Sequence, residues 1–164
     1  MNKEYLQSVS KIFLQYKAMA EKAIDQLEAD QLFVQPNEDS NSIAIVVKHM
    51  AGNMISRWTD FFTSDGEKPN RDRDSEFEND IAEKKVLMAC WEQGWNVFTT
   101  TLNSITPEDL QRTVYIRGEA HTVLEAINRQ LAHYSYHVGQ IVYVAKLLKK
   151  TEWTTLSIPK KKKI

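Results

Sequence analysis

Long helical segments that Gly and Pro scarcely interrupt constrain this chain more than any other feature. Only 5 of its 164 residues are Gly and 4 are Pro. Elsewhere, apolar residues recur at steps of three and four, which is the period of a helix with one buried face. This pattern predicts four long helices, over about residues 2–30, 42–63, 80–103 and 122–150.

Local signals indicate how these predicted helices begin and how they are connected. Thr122 and Glu125 match the capping box, in which a hydroxyl and a carboxylate satisfy free N–H groups at a helix start. Residues 67–79 are highly charged and lack a helical period, which indicates a long loop between the second and third helices. Residues 113–116 alternate as a strand does and Gly118 favours a turn, so a small β-hairpin fits before the fourth helix.

Four amphipathic helices of about 20 to 28 residues pack naturally as a four-helix bundle. We therefore expect an all-α, four-helix bundle that forms a single domain over residues 1–164. The long loop leaves room for a crossover connection, and spacing alone leaves the order of helix packing open. The basic tail, residues 159–164, contains four consecutive lysines and is expected to be disordered.

The charge balance limits which classes of partner the protein can attract, and the cysteine content indicates its cellular compartment. Lys and Arg total 21 and Asp and Glu total 22, so a net charge of −1 gives no broad attraction to nucleic acid or to an anionic membrane. Cys90 is the only cysteine, which excludes an intramolecular disulfide and is typical of an intracellular protein. No apolar run is long enough for a signal peptide or a membrane span, so we expect a soluble, cytoplasmic protein.

Two of the four histidines, His133 and His137, stand four residues apart in the predicted fourth helix. At about 100° per residue, side chains at this spacing are offset by roughly 40° on one helix face, so both imidazoles can reach one metal ion. Two partly exposed or hydrogen-bonded histidines would show the same spacing, and the pair alone leaves that alternative open. The pair is not the zincin motif, because Tyr134 rather than Glu follows His133.

A third histidine, His49, lies near the middle of the second predicted helix, at the flank of its apolar stripe. Taken alone, this position is more typical of a hydrogen-bonded core histidine. If the second and fourth helices are neighbours, His49 can face the pair. Three imidazoles suit Zn²⁺, Ni²⁺ or Fe²⁺ rather than Ca²⁺ or Mg²⁺, and three protein ligands leave a coordination position for water or substrate.

The combination of His49 with the run His133-Tyr134-Ser135-Tyr136-His137-Val138-Gly139-Gln140 resembles the DinB-like superfamily of metal-binding four-helix bundles. The resemblance covers nearly the whole chain. Residues 48–53, 57–61, 71–74, 129–133 and 137–141 resemble one poorly characterised branch of that superfamily.

The resemblance implies one divalent metal, often nickel or zinc, held by His49, His133 and His137. It also implies a homodimer. Some members are transferases or isomerases that use low-molecular-weight thiols such as bacillithiol or mycothiol on small-molecule substrates. The branch that this chain resembles has no settled activity.

Four neighbouring residues gain roles if the chain is such a thiol transferase. Asn53 comes one turn after His49 and is placed to orient water or substrate. Gln130 and Gln140 border the histidine pair, as hydrogen-bond partners of metal ligands do. Arg57 is placed to bind a carboxylate of the thiol cosubstrate.

Other charged or reactive residues have structural explanations that compete with a functional role. Arg71 and Arg73 suit the same anion-binding role, but surface ion pairs with Asp72 and Asp74 explain them equally well. We expect Cys90 to be a buried, inert core thiol. His121, just before the capping box, is expected to be a loop or cap residue.

Three functions are compatible with these residues. The first is a metal-dependent thiol transferase, and the second is a noncatalytic metal- or ligand-binding module, such as a stress-response protein. The third is a metal-dependent hydrolase, which needs a carboxylate as general base near the metal. No Asp or Glu stands one turn from His133 or His137, and Asp60 is too far along its helix to help His49, which weakens the third.

Overall fold

The computed structural model describes residues 2–159, which form four helices and one two-stranded antiparallel hairpin. This confirms the predicted all-α bundle with a small hairpin before the last helix. Three short 3₁₀ turns occur in the connections, at Ala29–Phe33, Asp74–Phe77 and Pro107–Gln111. The regular elements are α1 (Asn2–Ile24), α2 (Ile43–Trp58), α3 (Lys84–Ser104), β1 (Thr113–Ile116), β2 (Glu119–Thr122) and α4 (Val123–Lys149).

The first two helices end earlier than their apolar period predicts. α1 stops at Ile24 rather than near residue 30, because a 3₁₀ turn follows with its own capping box from Glu28 and Gln31. α2 stops at Trp58 rather than near residue 63, just before Asp60 with its φ of 48°. Apolar residues that follow the last residue of each helix are still buried. The apolar pattern therefore extends beyond the helical residues. These residues are Leu27, Leu32 and Phe61.

α3 begins at Lys84, four residues later than predicted, because the chain before it is held against α2. Lys48 of α2 is ion-paired with Asp80 in that segment. The Lys48 ammonium also donates to the backbone carbonyl of Ser75 at 2.6 Å. One side chain of α2 thus anchors both the end of the long loop and the approach to α3.

α4 begins with the predicted capping box. The Thr122 hydroxyl accepts from the backbone N–H of Glu125 at 3.1 Å, and the Glu125 carboxylate accepts from the backbone N–H of Thr122 at 2.7 Å. The hairpin before it turns at Arg117 and Gly118, which both have positive φ, as a tight hairpin turn requires. The Asp65 carboxylate accepts from the N–H groups of both turn residues and so ties the hairpin to the chain after α2.

The bundle core is a cluster of aromatic rings from all four helices. Their edge-to-face contacts include Phe13 with Phe98, whose ring centroids are 4.6 Å apart. α2 packs against both α3 and α4. It approaches α3 closely at Gly94, where a Cβ would lie 2.8 Å from the Cα of Ala51. The fully buried rings are Phe13, Trp58, Trp91, Trp95, Phe98 and Tyr134.

Two further predictions concern the ends of the chain and the membrane. The tail expected to be disordered lies outside the described residues from position 160 onward. Among residues 2–159, every helix is too short or too polar to traverse a lipid bilayer.

Candidate metal centre

The packing of α2 against α4 brings three imidazoles to one point. The Nε2 atom of His133 lies 3.4 Å from Nε2 of His49 and 3.2 Å from Nε2 of His137. All three potential ligand atoms lie within 4.8 Å of one another. Two ligands bonded at about 2.1 Å to one tetrahedral ion are roughly 3.4 Å apart, so this spacing fits a shared ion. The three histidines form a group that could hold a metal.

Hydrogen bonds at the opposite ring nitrogens orient two of these imidazoles. Nδ1 of His49 donates to the Glu76 carboxylate at 2.9 Å, and Nδ1 of His137 donates to the Gln140 side-chain oxygen at 2.7 Å. A proton on Nδ1 leaves the Nε2 lone pair free. The free lone pairs of His49 and His137 are therefore on the Nε2 atoms, which point to the shared centre. This arrangement is common in metal-binding histidines.

Gln130 organises the side of the centre next to His133. Its oxygen accepts from the indole N–H of Trp58 at 3.2 Å, which directs its amide nitrogen toward the site. That nitrogen donates to the Asn53 side-chain oxygen at 3.0 Å and lies 3.3 Å from Nδ1 of His133. Asn53 and Gln130 are both buried, so this chain links the aromatic core to the third imidazole.

Burial keeps the two histidines of α4 in the neutral form. It lowers the pKa of His133 to about 3, and repulsion from the neighbouring His137 and His49 acts in the same direction. It also lowers the pKa of His137 to about 4, although the hydrogen bond to Gln140 opposes this. A metal binds neutral imidazole, so at neutral pH these two ligands need not lose a proton first.

Glu76 is a site residue that sequence reasoning missed. It lies in the 3₁₀ turn of the long loop, and its side chain is buried against α2. Gly52 makes room for it, since a Cβ there would lie 2.2 Å from a Glu76 carboxylate oxygen. Burial alone would raise the pKa of Glu76, but hydrogen bonds from His49 and Arg71 outweigh it and lower that pKa. The carboxylate is therefore ionised and fixed behind His49.

Arg71 forms ion pairs with two carboxylates of its own loop, Glu67 and Glu76. Its guanidinium makes two hydrogen bonds to Glu76, from Nε at 2.7 Å and from Nη2 at 2.8 Å, and a third contact to Glu67 at 3.2 Å. The predicted surface ion pair with Asp72 is wrong, because the Arg71 side chain is buried. No local period reveals such a pairing, and only the folded loop brings these residues together.

An open cavity of about 370 Å³ adjoins the centre. Tyr136 lines it with an exposed ring, and no Asp or Glu belongs to its lining among the described residues. Arg57, expected from the sequence to bind an anion, is buried in its wall. The remaining lining residues are His49, Asn53, Arg71, Arg73, Arg117, Arg129, Ala132 and His133.

Two other candidates lie outside the centre. Cys90 is half-buried rather than fully buried, because it stands at the edge of the α3 core face. His121 is a residue of β2, paired with Val114 of β1, and so was wrongly predicted to be a loop or cap residue. Neither belongs to the group that the three convergent histidines form.

A family model described as a protein of unknown function, DUF1572, matches residues 1–162. No curated protein matches the chain in sequence.

Proposed function

The chain belongs to the DUF1572 family, which is DinB-like and of unknown function, and we propose that it is a metal-dependent transferase. It would join a low-molecular-weight thiol to a small electrophilic substrate. The observation that carries the proposal is the convergence of three imidazole nitrogens beside an open cavity that His49 and His133 line, and to whose lining the described residues contribute no Asp or Glu. The homodimer expected from the resemblance stays a prediction.

The donor set supports the choice of metal. Three imidazole ligands favour Zn²⁺ or Ni²⁺ over Ca²⁺ or Mg²⁺, which prefer oxygen ligands. The residues that would hold the ion are His49, His133 and His137. Bound there, a divalent ion would act as a Lewis acid that keeps an incoming thiol in its thiolate form.

The proposed reaction is a nucleophilic substitution with a balanced outcome. The thiol sulfur forms a bond to an electrophilic carbon, the leaving group departs with its bonding electron pair, and the thiol proton passes to solvent. The protein's own residues bind and orient the reactants. Asn53 and Tyr136 border the cavity beside His133, where they can contact either one.

The arrangement of carboxylates weighs against a hydrolase. Metal-assisted hydrolysis needs a base that removes a proton from water near the metal. Glu76 contacts His49, but its carboxylate accepts hydrogen bonds from His49 and Arg71 and is not among the residues that line the cavity. A noncatalytic binding module is compatible with the same three ligands, so only an activity assay separates it from the transferase.

Metal analysis tests the first half of the proposal. Wild-type protein should hold about one equivalent of zinc or nickel, and His137→Ala should lose it. The matched control is His121→Ala, which removes a histidine outside the centre and should keep the full equivalent. Equal metal content in all three proteins would contradict the assigned ligands.

A coupling assay tests the second half. The metal-loaded protein is mixed with bacillithiol or cysteine and 1-chloro-2,4-dinitrobenzene, from which chloride departs, and the thioether is followed by absorbance. Metal-dependent product formation that His137→Ala abolishes is the expected result. Full metal content with no thiol consumption would favour the noncatalytic module.

A further inference from the structure

The cavity beside the metal centre is lined by five arginines that come from four parts of the fold. α2, the long loop, the hairpin turn and α4 all contribute. Within residues 2–159, three side-chain carboxylates lie within 4.0 Å of these guanidinium groups. Glu67 contacts three of them, Glu76 contacts Arg71, and the fully exposed Asp74 contacts Arg73. The wall of the cavity therefore carries a surplus of positive charge.

Arg57 is a buried arginine of this wall whose charge is poorly compensated. Its side chain is 7% exposed, and its Nε atom is buried without a hydrogen-bond partner among the described residues. The nearest carboxylate, Glu67, is 3.9 Å from Nη2, which is beyond hydrogen-bond distance. A guanidinium cannot lose its charge as other buried groups do, so burying one without a partner is unfavourable unless an anion completes it.

Arg71 and Arg129 differ in what they can offer to a ligand. Arg71 is committed to Glu76 and Glu67. Arg129 is exposed at the cavity, and no ion pair to it occurs within residues 2–159. Burial lowers the pKa of Arg57, and repulsion from the positive charge of Arg129 lowers it further.

Arg57 and Arg129 lie on the same side of the candidate metal centre. Two contacts show that α2 and α4 run antiparallel. His49 lies beside His133 and His137, and Asn53, which is later in α2, is hydrogen-bonded to Gln130, which is earlier in α4. Arg57 follows His49 by eight residues, which is about 12 Å along the helix, and Arg129 precedes His133 by four, which is about 6 Å. The positive charges of Arg57 and Arg129 therefore lie in the same direction from the three imidazoles.

We propose that this cavity binds a small molecule with at least two anionic oxygen groups, carboxylate or phosphate, held by Arg57 and Arg129. Arg117 adds positive charge at the exposed hairpin side. The proposal deepens the proposed transferase function and rests on it, because the anionic groups and the group that reaches the metal belong to one ligand. Planar guanidinium groups bind both kinds of anion through paired hydrogen bonds.

The test is calorimetric titration of zinc-loaded protein with two probes. Propane-1,2,3-tricarboxylate presents carboxylates, propane-1,3-diyl bisphosphate presents phosphates, and the tighter of the two identifies the chemistry. The uncharged propane-1,2,3-tricarboxamide is the ligand control. We expect binding of at least one charged probe, weakening with added salt, and no binding of the triamide.

Variants identify the arginines responsible. Arg57→Gln and Arg129→Gln should each weaken the probe about tenfold or more, as the loss of a charge-assisted hydrogen bond predicts. The matched control is Arg112→Gln, since Arg112 pairs with Asp109 and does not line the cavity. Should Arg57→Gln fail to fold, Arg129→Gln, an exposed position, still carries the test.

Zinc content measured on the same samples separates the two proposals. Wild-type protein that holds zinc but binds neither charged probe, or binds the triamide equally, overturns the anion site alone. Unchanged affinity in both arginine variants overturns it as well. Wild-type protein that holds no zinc contradicts the proposed function, and probe binding to that protein then decides the anion site by itself.

Discussion

The two supports of the candidate metal centre are built from different kinds of interaction. On α4, His133 and His137 are placed by helix geometry, and neutral amide side chains contact their second ring nitrogens. On the α2 side, His49 is oriented by Glu76, an ionised carboxylate from the long loop that Arg71 holds in place. The α4 support is local and neutral, whereas the loop support is long-range and charged. Ligand position therefore depends on the helices, and the orientation of one ligand depends on the loop.

The largest effect should come from the α4 support. His133→Ala removes the nitrogen that lies next to both other ligand atoms. We expect zinc affinity to fall by more than about 100-fold, because the loss of a ligand exceeds the 10- to 100-fold cost of losing a ligand's hydrogen-bond partner. Competition with a chromophoric chelator measures it, and unaltered affinity would remove His133 from the centre.

Glu76→Gln should have the next largest effect and tests the loop support. The amide keeps the size of the side chain but removes the negative charge that His49 and Arg71 bind. Zinc affinity should fall by about 10- to 100-fold. The matched control is Glu119→Gln, an exposed carboxylate on β2. If both variants bind zinc equally well, the loop does not support the metal ligand.

The pH dependence of the metal-free protein separates the two supports. The pKa values of His133 and His137 fall from 6.5 to about 3 and about 4 on folding, so the unfolded chain binds more protons below pH 6.5. Stability should therefore decrease as the pH falls from 6.5 to 4.5, by on the order of 1 kcal/mol for each group after solvent screening. Glu76, whose folded pKa is lowered from 4.5, adds a further loss only below that pH.

Urea unfolding at several pH values measures this slope. His137→Gln should flatten it between pH 6.5 and 4.5, whereas Glu76→Gln should leave that part of the curve unchanged. An equal slope in wild type and His137→Gln would show that the α4 histidines are not buried in the neutral form.

The smallest effect is expected for Gln140→Ala. This change removes a neutral hydrogen bond of 2.7 Å to His137, but the backbone of α4 still places the imidazole. We expect zinc affinity to fall by no more than about tenfold, at the low end of such effects. A loss larger than that of Glu76→Gln would reverse the proposed difference between the two supports.

The difference between the two supports also explains which site residues could be predicted from the sequence. The spacing of His133 and His137 on one face follows from helix geometry, and the capping box at Thr122 fixes where that helix begins. His49 required the adjacency of α2 and α4, which spacing alone left open and only the family resemblance suggested. The loop has no period from which the approach of Glu76 to His49, 27 residues away, could be read.

Helix ends were harder to predict for a related reason. Burial of Leu27 and Leu32 continues the apolar period of α1 beyond its last helical residue. The same holds for Phe61 after α2. A pattern of buried residues records which side chains face the core, and a 3₁₀ turn can present them as well as an α-helix does.

X-ray absorption spectroscopy of the zinc-loaded protein tests the central claim most directly, because it counts the atoms bound to the metal. We predict three imidazole nitrogens at about 2.0–2.1 Å and one further light ligand that is exchanged for sulfur when a thiol is added. A shell made of oxygen ligands alone, or one closed by a fourth protein ligand that added thiol does not displace, would contradict an open three-histidine centre.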